Sequence, residues 1–214
     1  MTKSVQSVGS SVEYIGYATN SWANGGSWTS SNPLDVLSVA EVGDLVVVAI
    51  MFDAAEDNTW SWGGMNINEI YDGTNDRQPG AYVGYKIVEA TDQNPYISGV
   101  STGWDPVVAI ASVFRGISSF VNYGLSSGIS AMPNPPALTA NGDLWVITGH
   151  LDDDLVSMTA PANYTLSASE TVGSSNDGGS LAIAYRIETL TSDDPAVFGG
   201  GGTDDWKATT ITFS

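Results

Sequence analysis

Residues 81–97, AYVGYKIVEATDQNPYI, are echoed one hundred positions later by residues 181–197, LAIAYRIETLTSDDPAV. Tyr85, Ile87, Thr91 and Pro95 recur as Tyr185, Ile187, Thr191 and Pro195, while Lys86 is answered by Arg186 and Val83 by Ile183. Upstream, GDLVVVAIMFD from Gly43 matches GDLWVITGHLD from Gly142 at an offset of 99; downstream, TGWDPVVAIASVF has a weaker match in GTDDWKATTITFS. Three segments agreeing in the same order mark an internal duplication. Whatever one half builds, the other must build too, and the two products must bury their apolar surfaces together.

The matched segments read as strands. Alternate residues of a strand share a face, so Val83, Tyr85 and Ile87 form one apolar row and Ile183, Tyr185 and Ile187 another, with Lys86 and Arg186 on the opposite side. In the Gly-Asp-Leu segment Val46 and Val48 face one way and Leu45 and Val47 the other, all apolar, as in a central strand covered on both faces. Short apolar runs separated by Gly-, Asn- and Pro-rich clusters place strands at 12–18, 34–39, 44–52, 66–71, 81–89, 96–100 and 107–114 in the first half. The second half offers 121–125, 144–151, 164–169, 181–188, 196–198 and 207–213, and no helix is expected.

So many short strands exceed what one open sheet accommodates. The expected fold is all-β, an antiparallel two-sheet β-sandwich, jelly-roll-like, in which two repeat halves of about 1–125 and 126–214 share one core as a single domain. Ile211 and Phe213, near the end of the chain, are expected inside a sheet.

Charge and composition narrow the chemistry. With 24 acidic against 6 basic side chains the net charge is −18, which disfavours nucleic-acid binding because phosphate neutralisation needs a cationic footprint. The longest apolar run, residues 45–52, is far short of the roughly 20 residues that span a bilayer as a helix. The opening MTKSVQSVGSS lacks the apolar core of a secretory signal. Cysteine is absent and His150 is the sole histidine, so thiolate chemistry, a zinc site and a Ser-His-Asp relay all lack their parts. His150 reads as an ordinary strand side chain whose repeat counterpart is Met51.

Acids crowd the turns. Asp53, Glu56 and Asp57, or Asp72 and Asp76, could in principle supply a glycosidase pair, although an acid in a turn ordinarily caps backbone amides. Asp152, Asp153 and Asp154, together with Asp193, Asp194, Asp204 and Asp205, could converge on calcium if their loops met. Trp60 and Trp62 flank Ser61 in a glycine-rich loop and, if strand-like, would face the same way as a stacking platform for sugars; the alternative is that they plug one end of the sandwich. No catalytic, cofactor-binding or metal residue is assigned.

Taken together, VGDLVVVAI, AYVGYKIVEATDQNPYI, VVAIASVFRGI, NGDLWVITG, APANYT and LAIAYRIE resemble duplicated β-sandwich proteins of tailed-bacteriophage virions, from about Val42 to the end of the chain. Where that pattern has a Pro-x-Gly-Trp kind of turn, this chain reads Pro161-Ala162-Asn163-Tyr164, and its first half has Trp62-Gly63-Gly64. The resemblance implies a non-enzymatic virion structural protein, a capsid decoration or cement protein on the outer shell, or else a tail-associated adhesion module that binds glycans. It further implies a homotrimer whose partners are the major capsid protein or other virion proteins, with no nucleic acid, no membrane and no cofactor. Residues 1–26 precede the first repeat and are expected to supply either capsid contacts or an extra edge strand.

Overall fold

A computed structural model describes residues 11–22, 33–52, 61–72, 79–98, 106–129, 131–152, 154–174 and 177–214. The first sheet is formed by β1 (Glu13–Trp22), β2 (Leu45–Phe52), β4 (Asn68–Asp72), β5 (Gly80–Ile87) and β7 (Val107–Arg115), in the order β1-β7-β2-β5-β4. The second contains β8 (Phe120–Gly128), β9 (Leu138–Asp152), β10 (Thr165–Ser174), β11 (Asp177–Asp193) and β12 (Trp206–Phe213), in the order β8-β12-β9-β11-β10. Position by position the two orders are the same. The strands of the first sheet all lie before residue 116 and those of the second all after residue 119, so the halves divide at 116–119, where the chain passes between sheets, rather than at the expected 125/126, which would cut β8.

The duplication extends to irregularities. A one-residue register shift falls between Tyr14 and Gly16 in β1 and between Phe120 and Asn122 in β8, its counterpart; another falls between Glu69 and Tyr71 in β4 and between Leu166 and Ala168 in β10. Bulges add local twist at sheet edges, and here each edge strand of the two five-stranded sheets carries one. The Asn163 turn completes the match: Asn163 takes a φ of 69°, and Gly64, at the equivalent place in the first half, takes 78°. Asparagine tolerates this left-handed region better than most residues, so it stands in where the resemblance led to a glycine.

Between the sheets lies the shared core, with Leu45, Val47, Ala49 and Met51 from β2 meeting Leu144, Val146, Ile183, Ile211 and Phe213 from the other half. The opposite face of β2, with Val46, Val48 and Ile50, packs under Leu34, Val36, Met65 and Ile67. On the second sheet Trp145, Ile147, Ala182 and Ala184 pack under Met158, Tyr164 and Phe198. Both faces of both sheets are therefore covered, as the all-apolar strand after the first Gly-Asp requires.

The tyrosines of the repeat occupy matching places. Tyr85 stacks on Phe120 (centroids 5.1 Å apart) and meets Phe213 edge-on at 5.5 Å; Tyr185 stacks on Tyr14 (4.5 Å) and meets Phe114 edge-on at 5.4 Å. Each ring from one half rests on two rings of the other, with Phe114 and Phe213 equivalent residues of β7 and β12.

Two expected strands take other forms. Residues 34–39 contain a 3-10 turn at Val36–Ser38, in which Leu34 and Val36 cap the outer face of the first sheet. The alternation of Leu34, Val36 and Ser38 imitates a strand, but no neighbouring strand pairs with it; Leu34 N–H instead bonds the Pro95 carbonyl, and Leu37 N–H the Asn94 side chain. Residues 196–198 lie outside any strand and precede an isolated bridge between Thr159 and Gly199. That bridge stands where the first half has the small sheet of β3 (Ser61–Gly63) and β6 (Tyr96–Ser98). β9 and β11 overrun their expected ends as a paired ribbon reaching Leu138 and Asp193. The N-terminal segment provides the edge strand β1, while residues 1–10 and 23–26 lie outside the described residues.

Candidate functional site

The side chains best equipped for chemistry belong to the interior. His150 faces the inter-sheet core and is fully buried, as is Thr148 two residues before it; Lys207, its register partner on β12, is 1% exposed. Thr148 Oγ1 lies 3.1 Å from His150 Nε2 and 2.8 Å from Thr209 Oγ1, so one polar ladder runs from β9 to β12. Burial and the adjacent positive charge of Lys207 push the imidazole down to about 3, and the Ile50 backbone offsets this only in part. The ring is neutral over the whole physiological range, and its Nδ1 has no hydrogen-bond partner of ordinary geometry. Asp152, two residues on and on the same face of β9, is also buried at 3% exposure, and a neutral ring enclosed in this way acts here as part of the packed interior.

A second polar link joins the sheets near the β1–β10 edge: Tyr14 Oη sits 2.9 Å from Ser167 Oγ, which is 2.8 Å from Ser112 Oγ. Burial raises the Tyr14 hydroxyl above its ordinary value. Ser167 is the bulged residue of β10, so the register shift delivers its hydroxyl to the interface.

Asp44, of the first Gly-Asp-Leu, is 2% exposed and accepts from Arg115 through Nε (2.8 Å) and Nη2 (2.9 Å) as well as from the Glu41 N–H (2.9 Å). Burial alone would raise its carboxyl, but the Arg115 bonds and the Glu41 amide outweigh that and hold it below the usual range. In the second half Asp143 accepts from Thr189 Oγ1 at 2.6 Å. On the outer face of the second sheet, Tyr164 donates to Asp193 at 2.6 Å, and Arg186 bonds both Asp193 and Glu188. Burial, reinforced by the Asp193 carboxylate, drives the Tyr164 hydroxyl well above its ordinary value. Lys86, the repeat counterpart of Arg186, pairs with Glu89 at 3.1 Å.

Three of the acids named for calcium accept backbone N–H groups, Asp154 from Thr203, Asp193 from Asp194 and Asp204 from Asp205, while Asp152 is buried at the end of β9. Among the described residues no group of three or more His, Cys, Asp or Glu side chains could hold a metal ion. Asp153 lies outside the described residues, as do Asp53, Glu56, Asp57 and Asp76 of the possible glycosidase pairs. Of the two candidate platform tryptophans, Trp60 lies outside the described residues and Trp62 sits in β3 opposite Ile97 of β6. Trp206 is buried in an outer-face cluster with Leu151 and Ala208.

Sequence reasoning missed the polar ladder and the Asp44–Arg115 clamp. Both had a trace: Lys207 falls on the same strand face as Ile211 and Phe213, and an acid that opens a buried strand needs a cation nearby. No protein-family model matches this chain, and no curated protein or solved structure does either.

Proposed function

We propose that this protein is a non-enzymatic structural component of a bacteriophage virion, a decoration or cement protein bound to the outside of the capsid. The observation that carries the reading is where the polar groups go. His150, Asp44, Arg115, Tyr164 and Arg186 hold sheets and turns together. The remaining acids leave a strongly negative exterior that keeps copies soluble and apart from nucleic acid. A double-sided, cysteine-free sandwich of this kind suits persistence on a particle surface, and the motif resemblance to virion sandwiches supplies the partner: the major capsid protein or other virion proteins.

Imaging purified virions by electron microscopy with labelled antibody tests the reading, with label on the shell expected. Binding to empty capsids should be unaffected by added sugars. Label on the tail, with glycan binding lost in Trp62→Ala, would replace this reading with an adhesion module; absence from the particle would remove both.

A further inference from the structure

A sheet edge presents unpaired N–H and C=O groups to any passing strand, and proteins guard such edges with charge, cover or short length. β4 is five residues long and carries Glu69 and Asp72. β10 carries Glu170 and packs across the interface against β1. β1 begins at Glu13, and its Asn20 side chain holds the Pro33 carbonyl. β8 reads FVNYGLSSG, with neither a charge nor a proline. The neutrality runs wider than the strand: no Asp, Glu, Lys or Arg occurs between Arg115 and Asp143, in a chain of net charge −18.

The exposed side of β8 is well defined. Its outer face is filled by its own chain, with Pro136 over Gly124 and Trp206 over Gly128. On the inner side Tyr123 and Leu125, opposite Ile211 and Thr209 of β12, remain 40% and 41% exposed. Its other neighbour position is empty among the described residues, since β8 is the terminal strand of the sheet and no further backbone hydrogen bond reaches 121–128.

The geometry points to β8 as a self-association seam, in which a second copy of this chain adds its own β8 antiparallel about a two-fold axis and joins two five-stranded sheets into one. Centred on Gly124, the pairing sets Tyr123 of each copy against Leu125 of the other, an aromatic–aliphatic cross-strand pair used twice in an isologous contact. Electrostatics selects the occupant. Two molecules this acidic repel wherever acids face one another, whereas along β8 the like charges are set back from the contact and, beyond about 8 Å at physiological ionic strength, screened. A basic partner would be drawn to the acidic faces and would gain nothing from a neutral strip.

Sedimentation equilibrium of the full chain at about 0.05 M and about 0.5 M NaCl tests this. A monomer–dimer equilibrium is expected, tighter at the higher salt because screening removes only repulsion. Leu125→Glu should weaken it at least about tenfold by placing charge in the seam, and so should Asn122→Glu, an exposed position where the fold tolerates the change. Val197→Glu, an equally exposed apolar site outside β8, should leave it unchanged. A monomer under all conditions, a dimer that salt weakens, or an oligomer of any order that survives both β8 substitutions overturns the proposal. The test needs no virion, so its outcome is independent of the capsid reading.

Discussion

The Gly-Asp-Leu signature uses its glycine for two different physical reasons. Gly43 adopts a φ of 94° with open space where a Cβ would go, whereas Gly142 lies within β9, where a Cβ would collide with Thr212 Oγ1. Gly43→Ala should cost about 1 kcal/mol of backbone strain. Gly142→Ala should cost about 1–3 kcal/mol through overpacking, and Thr212→Ala in the same chain should recover part of that loss, with no such rescue for Gly43→Ala. Urea denaturation of the four variants separates the two mechanisms. His150 gives a second residue-scale prediction. Its folded-state value of about 3 lies below the ordinary 6.5, so the unfolded chain takes up the proton more readily. The stability associated with the neutral ring is fully present above about pH 6.5 and is lost as pH falls toward 3. His150→Met, which installs the residue found at the equivalent position 51, should flatten the stability profile across that window in urea titrations. That the histidine sits in a strand was legible from the repeat; that it faces the shared core beside Lys207 was not, because alternation gives two faces without saying which one the other sheet covers.

At the level of elements, the aromatic brackets are the clearest consequence of duplication. Because Tyr85 and Tyr185 each rest on rings from the opposite half, Tyr85→Ala and Tyr185→Ala should destabilise the fold by similar amounts, about 2–4 kcal/mol each; calorimetric melts giving one large and one negligible effect would show that the halves do not share the load. Matched segments made the central strands β2, β5, β9, β11 and β12 readable, and in β2 burial on both faces leaves an unbroken apolar run. Extensions were harder to read. The stretches TANG and ETLTSD look like turns, yet they pair as the ribbon that lengthens β9 and β11, held by ladder hydrogen bonds that composition does not record. The 34–39 stretch fails in the opposite sense: its apolar spacing suits a strand, but its role is to lie flat over the first sheet.

Over the whole molecule, two sheets of the same strand order share one core, and neither half can cover its inner face alone. Most of this was visible in the repeat. What the repeat does not convey is the place at which the chain changes sheets. That crossover gathers the ends of both halves: a Cβ on Gly116 would touch the Ser11 carbonyl, and the Ser118 and Ser119 N–H groups bond the Ser214 carbonyl at 2.9 and 2.8 Å. The start of the first sheet and the end of the second thus meet at the hinge between them, so the order in which the halves are translated is interchangeable. A circular permutant opened at Ser118, with Ser214 joined to Met1, should refold reversibly and melt within about 5 °C of the parent, a shift on the order of 1–2 kcal/mol.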